Sequence, residues 1–363
     1  MSGYLTNGNS EENMRIGYDA KRYYHNHTGL GNYSRTLVRD MQRLHPEVEI
    51  RLYDEKGLTR LRRLGRKAAA EGCQIYHGLS NELPFDLSQG VRNREMLPRA
   101  VVTMHDTAWR TYPEMYHMAD RVIYDYKYGH AARHADCVVA ISESTKRDVM
   151  RFYGVAEDRI RVIYQPVQRM FYEEREKREQ EHGEQAPYLL SVGSINARKN
   201  LLGTLQAYSL LQKENRPRLI IVGKGREYER KCRDFVLKNG LEKEVIFKGS
   251  VNSTEELHSL YREAVAMLYP SHYEGFGLPV VEALLSGCPV LTSSVSSLPE
   301  AAGPGALYCD PADTDEIAHQ LKRLVDDMSL REKLAREGKA YCLEHFEPDS
   351  LTEQMFGLYK SLL

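Results

Sequence analysis

Short apolar segments alternate with amphipathic segments along almost the whole chain, and this alternation constrains the fold more than any other feature. The apolar segments have the composition of strands, and the segments between them have helical spacing. Candidate strands in the first half of the chain are 15–19, 49–53, 74–77, 100–104, 137–141 and 160–164. Those in the second half are 188–192, 218–222, 245–249, 266–269, 289–292 and 306–308. Because strands that alternate with helices form parallel sheets, the two series predict an α/β protein with two Rossmann-like domains.

The length of the chain agrees with two domains. A domain usually has about 100–200 residues, and this chain has 363, of which 42% are hydrophobic. The predicted divisions are a polar tail (1–13), an N-terminal domain (14–172), a charged linker (173–185), a C-terminal domain (186–347) and a C-terminal helical segment (348–363). We expect the last segment to pack back toward the N-terminal domain.

The composition predicts a cytoplasmic protein. The six cysteines form no C-x-x-C pair, and several lie in apolar segments, which is typical of reduced, buried thiols. No apolar run approaches the length that spans a bilayer, and the start has no signal-peptide pattern. The segment 58–70 combines Lys and Arg with leucines at helical spacing. It predicts either an amphipathic helix on the anionic inner face of a membrane or an ordinary surface helix.

Charge is distributed unevenly between the two halves. Residues 14–170 contain 26 Lys and Arg against 19 Asp and Glu, whereas residues 171–363 contain 24 against 30. An excess of positive charge indicates contact with an anionic partner, although chance scatter of surface charge explains it equally well. We expect no nucleic-acid partner.

Glu274 and Glu282 bracket the run E-G-F-G-L-P-V-V-E, which follows a candidate strand. Pro279 favours the first turn of a helix, because its φ is already helical and its missing N–H has no partner there. Glu274 is therefore predicted in a loop before a helix, and Glu282 one turn inside it. Backbone amides of the intervening residues 275–277 lie near the positive end of that helix, where anions and polar oxygens bind. Two solvated glutamates are the alternative, but the glycines, the proline and the strand favour a site for a polyhydroxylated, phosphate-bearing ligand.

Two adjacent cations, Arg198 and Lys199, follow Gly193 at the end of another candidate strand. Such a pair suits a diphosphate, because Arg can bind two oxygens at once and Lys supplies a point charge. A solvated basic pair is the alternative. We favour phosphate because ligands of open α/β folds bind at the carboxyl ends of the strands.

Further candidates lie at the ends of strands in the first half. His105 follows the strand 100–104 and could donate to a substrate hydroxyl, act as an acid or base, or hold the following loop in place. Gly29 and Gly31 precede a helix and allow a ligand to approach the backbone closely. A dinucleotide fingerprint would need a third glycine, but Ser34 stands there, which speaks against a nicotinamide or flavin enzyme.

The triplet Asp313-Thr314-Asp315 has the D-x-D pattern that holds a metal in some sugar-nucleotide enzymes. Asp313 is also a natural N-cap, and Asp315 would then be an acid of the first helical turn. We interpret Asp313 as a cap and expect neither a metal nor a cofactor.

In combination, these motifs resemble those of glycosyltransferase family 4. The resemblance extends from about residue 15 to the C-terminus and rests on T-G-L-G-N-Y, the H-D after the fourth strand, S-V-G-S-I-N-A-R-K-N, E-G-F-G-L-P-V-V-E-A-L and S-S-L-P-E. It implies a GT-B fold, with two Rossmann-like domains whose parallel sheets face each other across a cleft. It also implies a retaining reaction with a nucleotide-sugar donor.

The resemblance implies a role for each matching residue. Arg198 and Lys199 would neutralise the donor diphosphate, Glu282 would hold the ribose hydroxyls, and His105 would contact the donor sugar near its reacting carbon. Catalytic roles are thus implied for His105, Glu274, Lys199 and Arg198. Donor-binding roles are implied for Gly29, Gly31, Gly193, Arg198, Lys199, Val251, Glu274, Gly275, Phe276, Gly277, Leu278 and Glu282. No family role matches Lys21, Arg22, His25 and His27.

We predict a retaining, metal-independent glycosyltransferase that moves a hexose to a glycan or lipid-linked glycan in cell-surface polysaccharide biosynthesis. The stretch H-D-T-A-W-R-T-Y-P-E resembles mannosyltransferases of this process and favours GDP-mannose among the nucleotide-sugar donors. Asp106 and Trp109 are the candidate acceptor residues. The alternatives are a non-catalytic sugar-nucleotide-binding protein, a sugar phosphorylase or a sugar-nucleotide epimerase on the same fold. Glu274, Lys199 and His105 speak against the first, and an epimerase would release altered sugar without an acceptor.

Overall fold

The computed structural model describes residues 14–26, 29–88, 94–173, 187–251 and 253–363. Within these residues the chain forms two parallel sheets of six strands each. The strands of the first sheet are β1 (Arg15–Asp19), β2 (Glu49–Tyr53), β3 (Ile75–Gly78), β4 (Arg99–Met104), β5 (Cys137–Ala140) and β6 (Ile160–Val162). Those of the second are β7 (Tyr188–Val192), β8 (Arg218–Val222), β9 (Val245–Gly249), β10 (Ala266–Tyr269), β11 (Val290–Ser293) and β12 (Ala306–Cys309). Each predicted strand is present, so the α/β class with two Rossmann-like sheets is confirmed.

Helices connect the strands and cover both faces of each sheet. In the first half they are α1 (Lys21–His25), α2 (Gly29–Leu44), α3 (Gly57–Arg62), α4 (Leu64–Ala70), α5 (Ala108–Thr111), α6 (Met118–His134) and α7 (Glu143–Tyr153). In the second half they are α8 (Leu201–Ser209), α9 (Glu227–Lys238), α10 (Thr254–Glu263), α11 (Leu278–Leu285), α12 (Leu298–Ala302), α13 (Thr314–Asp326), α14 (Met328–His345) and α15 (Pro348–Leu362). The predicted tail 1–13 and most of the predicted linker 173–185 lie outside the described residues, as does His27.

The strand order of each sheet reverses once. The first sheet has the order β2-β1-β3-β4-β5-β6, and the second has the order β12-β11-β10-β7-β8-β9. The chain therefore leaves β1 and β3 in opposite directions, and likewise β7 and β10. At such a reversal the connections diverge and leave a crevice at the carboxyl ends of the strands, which is where open α/β sheets bind ligands. The two crevices of this protein are thus at β1/β3 and at β7/β10.

The C-terminal helix α15 packs against the N-terminal half of the chain. Asp349, near its start, forms ion pairs with Arg43 of α2 and with Arg169. Near its end, the hydroxyl of Tyr359 lies 2.6 Å from Nδ1 of His77 in β3, and both side chains are fully buried. A continuous apolar core therefore extends from the first sheet through α15 into the second half.

The structure corrects the single basic helix predicted over 58–70. Two helices, α3 and α4, meet at Arg63, whose φ of −132° is not helical. Arg60 is 8% exposed and forms ion pairs of 2.7 Å with Asp19 and 2.5 Å with Glu82. The helix is interrupted because Arg60 turns inward to two buried carboxylates and Leu64 enters the core. The cations of the segment therefore do not share one face.

Two predictions from composition can be compared with the structure. All six cysteines are buried and unpaired, as predicted. Of the helices in the described ranges, none combines the length and the hydropathy needed to cross a bilayer.

Candidate active site

The crevice at β7/β10 brings together three charged side chains. Arg198 and Lys199 follow β7, in a short 3₁₀ turn (Ala197–Lys199) that Asn196 caps by accepting from the amide of Lys199. Glu274 lies in the loop after β10, 6% exposed. Its Oε2 lies 2.9 Å from Nη1 of Arg198, and its Oε1 lies 2.6 Å from Nζ of Lys199. A carboxylate thus bridges two neighbouring cations, and the three groups carry one excess positive charge.

The surroundings of these three groups fix their charge states. Burial alone would raise the pKa of Glu274, but the adjacent Lys199 and Arg198 lower it to about 2. Burial lowers the pKa of Lys199 below its ordinary value, and the attraction of Glu274 opposes that shift. The Lys199 ammonium also donates to the hydroxyl of Tyr269, at the end of β10. Glu274 is therefore ionised at neutral pH and holds both cations in place before any ligand binds.

The loop between Glu274 and α11 presents free backbone amides. Within the described ranges, the N–H groups of Gly275, Phe276 and Gly277 make no hydrogen bond. Gly277 has a φ of 119°, which favours glycine, and it directly precedes α11. This arrangement confirms the predicted helix start, with Leu278 and Pro279 in its first turn. Three donors at the positive end of a helix can bind an anion or sugar oxygens.

Glu282 lies one turn inside α11, as predicted. Its Oε2 accepts a hydrogen bond of 3.2 Å from the hydroxyl of Tyr261, and burial raises its pKa to about 7. Among the described residues Tyr261 is the one hydrogen-bond partner of this carboxyl, so it can accept further hydrogen bonds from ligand hydroxyls.

The same loop contacts the N-terminal domain. A Cβ on Gly275 would lie 1.9 Å from the carbonyl oxygen of His105, so only glycine fits there. The carbonyl of Gly275 accepts hydrogen bonds from Ser142, at 2.7 Å, and from Thr145, at 3.2 Å. Phe276 stacks on Tyr164 with a centroid separation of 5.4 Å. The strand ends of both sheets therefore meet at this loop.

The imidazole of His105 is buried and uses both ring nitrogens within the protein. Nε2 lies 2.8 Å from the carbonyl oxygen of Leu79, which can only accept, so Nε2 carries the proton. Nδ1 then accepts from Nε2 of Gln165, at 2.7 Å. Burial lowers the pKa of His105 to about 4, so the ring is neutral at pH 7. This geometry fixes the ring and the strand end, and a contact with the donor sugar stays a prediction.

The predicted glycines occupy tight places around the crevice. Gly29 begins α2, and a Cβ there would lie 3.7 Å from Cδ1 of Leu278 across the domain boundary. At Gly31 a Cβ would lie 1.8 Å from the carbonyl oxygen of Asn26. Gly193 has a φ of 136°, and its Cβ position lies 3.8 Å from Cε of Lys199. Gly29 therefore lies close to the start of α11 and Gly193 close to Lys199, whereas Gly31 packs against the end of α1.

The remaining predicted residues are less central. Burial raises the pKa of Asp106, and the nearby Arg198 opposes that shift, which places Asp106 beside the charged cluster. Val251 is partly buried after β9 and packs against the core. Trp109 is 3% exposed, and its indole N–H donates to Asp125 at 2.8 Å. The indole packs edge-to-face on Tyr128, and a contact of Trp109 with the acceptor stays a prediction.

Sequence reasoning missed two serines that hold the loop after β10 and one glutamate that joins this region to the N-terminal domain. The amide of Glu274 donates to Ser296, and Ser297 donates to the carbonyls of Glu274 and Phe276, both at 2.8 Å. The carboxylate of Glu300 accepts from two amides at the start of α7, at 2.6 and 2.8 Å. All three lie in or next to S-S-L-P-E, a motif that indicates the family but does not by itself reveal these contacts.

A second missed contact joins Tyr273 to the N-terminal domain. Its hydroxyl donates to Oδ2 of Asp148 in α7 at 2.6 Å, and Oγ1 of Thr107 lies 3.3 Å from the same hydroxyl. Tyr273 precedes Glu274 directly, so this bond ties the charged cluster to the opposite domain.

The predicted cap at Asp313 is confirmed. Its Oδ1 accepts from the amides of Asp315, at 3.0 Å, and Glu316, at 2.9 Å, at the start of α13. Across the described residues, no group of three or more His, Cys, Asp or Glu side chains could hold a metal ion.

Comparison with known proteins identifies the family. The profile described as Glycosyltransferase Family 4 matches residues 35–169, and that of Glycosyl transferases group 1 matches residues 173–341. O-antigen chain mannosyltransferase B of Escherichia coli is 36% identical over 297 residues, which are 79% of this chain and 74% of that protein. This chain belongs to glycosyltransferase family 4. A second relative of this glycosyltransferase, O-antigen chain mannosyltransferase RfbU of Salmonella typhimurium, is 28% identical over 63% of this chain and 62% of its own.

The solved structures that resemble this glycosyltransferase establish its architecture. HepE of Anabaena, solved in complex with UDP, superimposes with a TM-score of 0.73 at 16% identity. The match covers 96% of this chain and 99% of HepE. The predicted GT-B fold is therefore confirmed.

Proposed function

We propose that this glycosyltransferase transfers mannose from GDP-mannose, with retention of the anomeric configuration, to a glycan or lipid-linked glycan of a cell-surface polysaccharide. The observation that carries the proposal is the buried cluster of Arg198, Lys199 and Glu274 beside the free amides of the loop before α11. The choice of mannose and of a surface polysaccharide is supported by the relatives, two of which are O-antigen chain mannosyltransferases.

The donor diphosphate is proposed to bind at Arg198 and Lys199. The cluster with Glu274 has one excess positive charge before binding, and its cations are already held in position, so little reorganisation is needed. Positively charged hydrogen-bonding groups in a partly buried site stabilise the negative charge that develops on a leaving diphosphate. The three free amides would bind the donor sugar, and Glu282 would accept from the ribose hydroxyls.

The proposed reaction takes place on one face of the sugar. The bond from the anomeric carbon to the diphosphate oxygen breaks, and a bond from that carbon to the acceptor oxygen forms on the same side. The proton of the acceptor hydroxyl passes to an oxygen of the departing diphosphate. Glu274 is a poor nucleophile for a covalent intermediate, because both its carboxylate oxygens already contact cations. The proposal needs no metal, because the two cations and the three free amides together stabilise the charge of the leaving group.

A donor panel and an analysis of product stereochemistry test the proposal. The midpoint of thermal unfolding is measured with GDP-mannose, with other GDP-sugars and with UDP-sugars. We expect GDP-mannose to raise it most. The product formed from this α-linked donor should have an α linkage in its NMR spectrum. A β-linked product would refute retention, and stabilisation only by UDP-sugars would refute the donor. Release of an epimerised sugar without an acceptor would instead support an epimerase.

A further inference from the structure

The crevice of the first sheet, at β1/β3, carries two cations that the proposed reaction does not use. Lys21 and Arg22 begin the short helix α1, directly after β1. Both are partly exposed, and neither forms an ion pair with any residue of the described ranges. Nε of Arg22 is buried and makes no hydrogen bond there. Two adjacent, unneutralised cations at the reversal of a parallel sheet have the position and the charge of an anion site.

Neighbouring charges do not neutralise this pair. Asp19 and Glu82 are the acids nearest to it, and both already bind the buried guanidinium of Arg60, at 2.7 and 2.5 Å. Lys127 adds another cation 3.9 Å from Glu82. Lys21, Arg22, Arg60 and Lys127 therefore outnumber these two carboxylates, and a third acid near α1, Asp54, lies 2.8 Å from Nε2 of His25. Burial lowers the pKa of Lys21, the charges of Arg60 and Arg22 lower it further, and the carboxylates of Glu82 and Asp19 oppose that shift.

The pair follows a strand of the first sheet, whereas Arg198 and Lys199 follow a strand of the second. The carbonyl oxygen of Arg22 lies 3.1 Å from the Cβ position of Gly31 in α2, and at Gly29, in the same turn of α2, the Cβ position lies 3.7 Å from Cδ1 of Leu278 at the start of α11. In the strand register Tyr18 pairs with His77, so α1 begins next to the segment after β3. That segment includes Leu79, whose carbonyl accepts from His105. An anion bound at this pair would therefore lie within the cleft but on the N-terminal domain.

The donor diphosphate has its own cations on the C-terminal domain, so a second anion site on the N-terminal domain fits the other substrate. We propose that Lys21 and Arg22 form a subsite that binds a phosphate group of the acceptor. This inference rests on the proposed function, and it adds that the acceptor is anionic. The phosphate can belong to the diphosphate of a lipid carrier or to a phosphorylated glycan, because the two cations recognise the same chemistry in both.

Calorimetric titration with inorganic pyrophosphate tests the subsite without a known acceptor. The protein is first saturated with GDP, or with UDP if the donor panel selects it, so that Arg198 and Lys199 are occupied. We expect pyrophosphate to bind this complex, and the double variant Lys21→Gln/Arg22→Gln to weaken that binding at least tenfold. The matched control is Arg62→Gln/Arg66→Gln, which removes two exposed charges from α3 and α4 and should leave pyrophosphate affinity unchanged.

Two results would overturn the subsite. One is the absence of pyrophosphate binding to the nucleotide complex, and the other is equal affinity in wild type and the Lys21/Arg22 variant. Failure of the proposed function has a different signature, because a protein that is not a nucleotide-sugar transferase would not bind GDP or UDP at all. Pyrophosphate titration of that protein would still report whether Lys21 and Arg22 bind an anion.

Two further probes distinguish the sources of the phosphate. Decyl diphosphate represents a lipid carrier, and mannose 6-phosphate represents a phosphorylated glycan. If one probe binds the wild type more tightly than the other, and the Lys21/Arg22 variant loses this binding, the subsite is supported. The tighter probe then identifies the source of the phosphate. If both probes bind the variant as well as the wild type, the two residues do not recognise phosphate.

Discussion

Oε1 of Glu274 lies 2.6 Å from Nζ of Lys199, and the two residues follow different strands of the second sheet. Because β7 and β10 are neighbours only in the folded sheet, this ion pair exists only when the reversal of strand order is in place. The contact keeps a largely buried ammonium next to Glu274, which directly precedes the loop with the free amides. The proposed donor site is therefore organised before a ligand binds, and such preorganisation lowers the cost of reorganisation during a reaction.

Removing the ammonium of Lys199 should affect turnover much more than folding. We expect Lys199→Ala to lower kcat about 10³-fold, because it removes the ammonium group that would stabilise the charge of the leaving diphosphate. The rate of nucleotide release from the proposed donor measures the effect, and Lys238→Ala on the exposed face of α9 is the control. A Lys199→Ala variant with near-normal turnover would contradict the diphosphate assignment.

Donor affinity should rise with pH because of Glu282. Its pKa of about 7 means that the carboxyl is largely protonated at pH 6 and ionised at pH 8, and only the ionised form accepts from both ribose hydroxyls. We expect about tenfold tighter binding of a nucleotide-sugar at pH 8 than at pH 6. The intact donor is the right probe, because its diphosphate does not titrate in this range. The Glu282→Gln variant should show no such change, and the same pH dependence in that variant would exclude Glu282 as the cause.

His105 should not titrate in the working range. Its pKa of about 4 and its two internal hydrogen bonds keep the imidazole neutral between pH 5.5 and 8. We expect kcat at saturating donor to show no inflection from this group above pH 5.5. An inflection near pH 6.5 that disappears in His105→Gln would show instead that the ring acts as an acid or base.

Glu300 should stabilise the contact between the two domains. Its carboxylate accepts from the amides of Glu143 and Ser144, which would otherwise be unpaired at the start of α7. Loss of a cap costs about 1 kcal/mol, so Glu300→Ala should lower the midpoint of thermal unfolding by about 2–4 °C. The exposed Glu332→Ala on α14 should leave the midpoint unchanged, and equal midpoints for both variants would exclude the cap.

Arg60 should be essential for stability, in contrast to its neighbours in sequence. Arg60→Ala leaves Asp19 and Glu82 buried without their shared cation, which should cost about 3–5 kcal/mol in the free energy of unfolding. Urea denaturation measures this cost, with the exposed Arg62→Ala as the control. If the two variants have similar stability, the buried ion pairs contribute nothing.

Local sequence determined the secondary structure and the types of residue in the site. The alternation of apolar segments and segments with helical spacing was enough to predict twelve strands and the α/β class. Each of these patterns depends on which side chains are buried within a short stretch of sequence. Pro279 and the flanking glycines were enough to place Glu274 before a helix and Glu282 inside it. The cap at Asp313 followed from the same local chemistry.

Only the tertiary structure decided which of these residues meet, because contacts between distant segments depend on strand order and not on local pattern. Arg60 has the composition of a surface cation, yet two acids from other segments draw it into the protein. Trp109 adjoins the H-D motif in sequence, but packing against Tyr128 buries it. The bridging of Arg198 and Lys199 by Glu274 likewise required β7 and β10 to become neighbours, since 75 positions of chain separate Lys199 from Glu274.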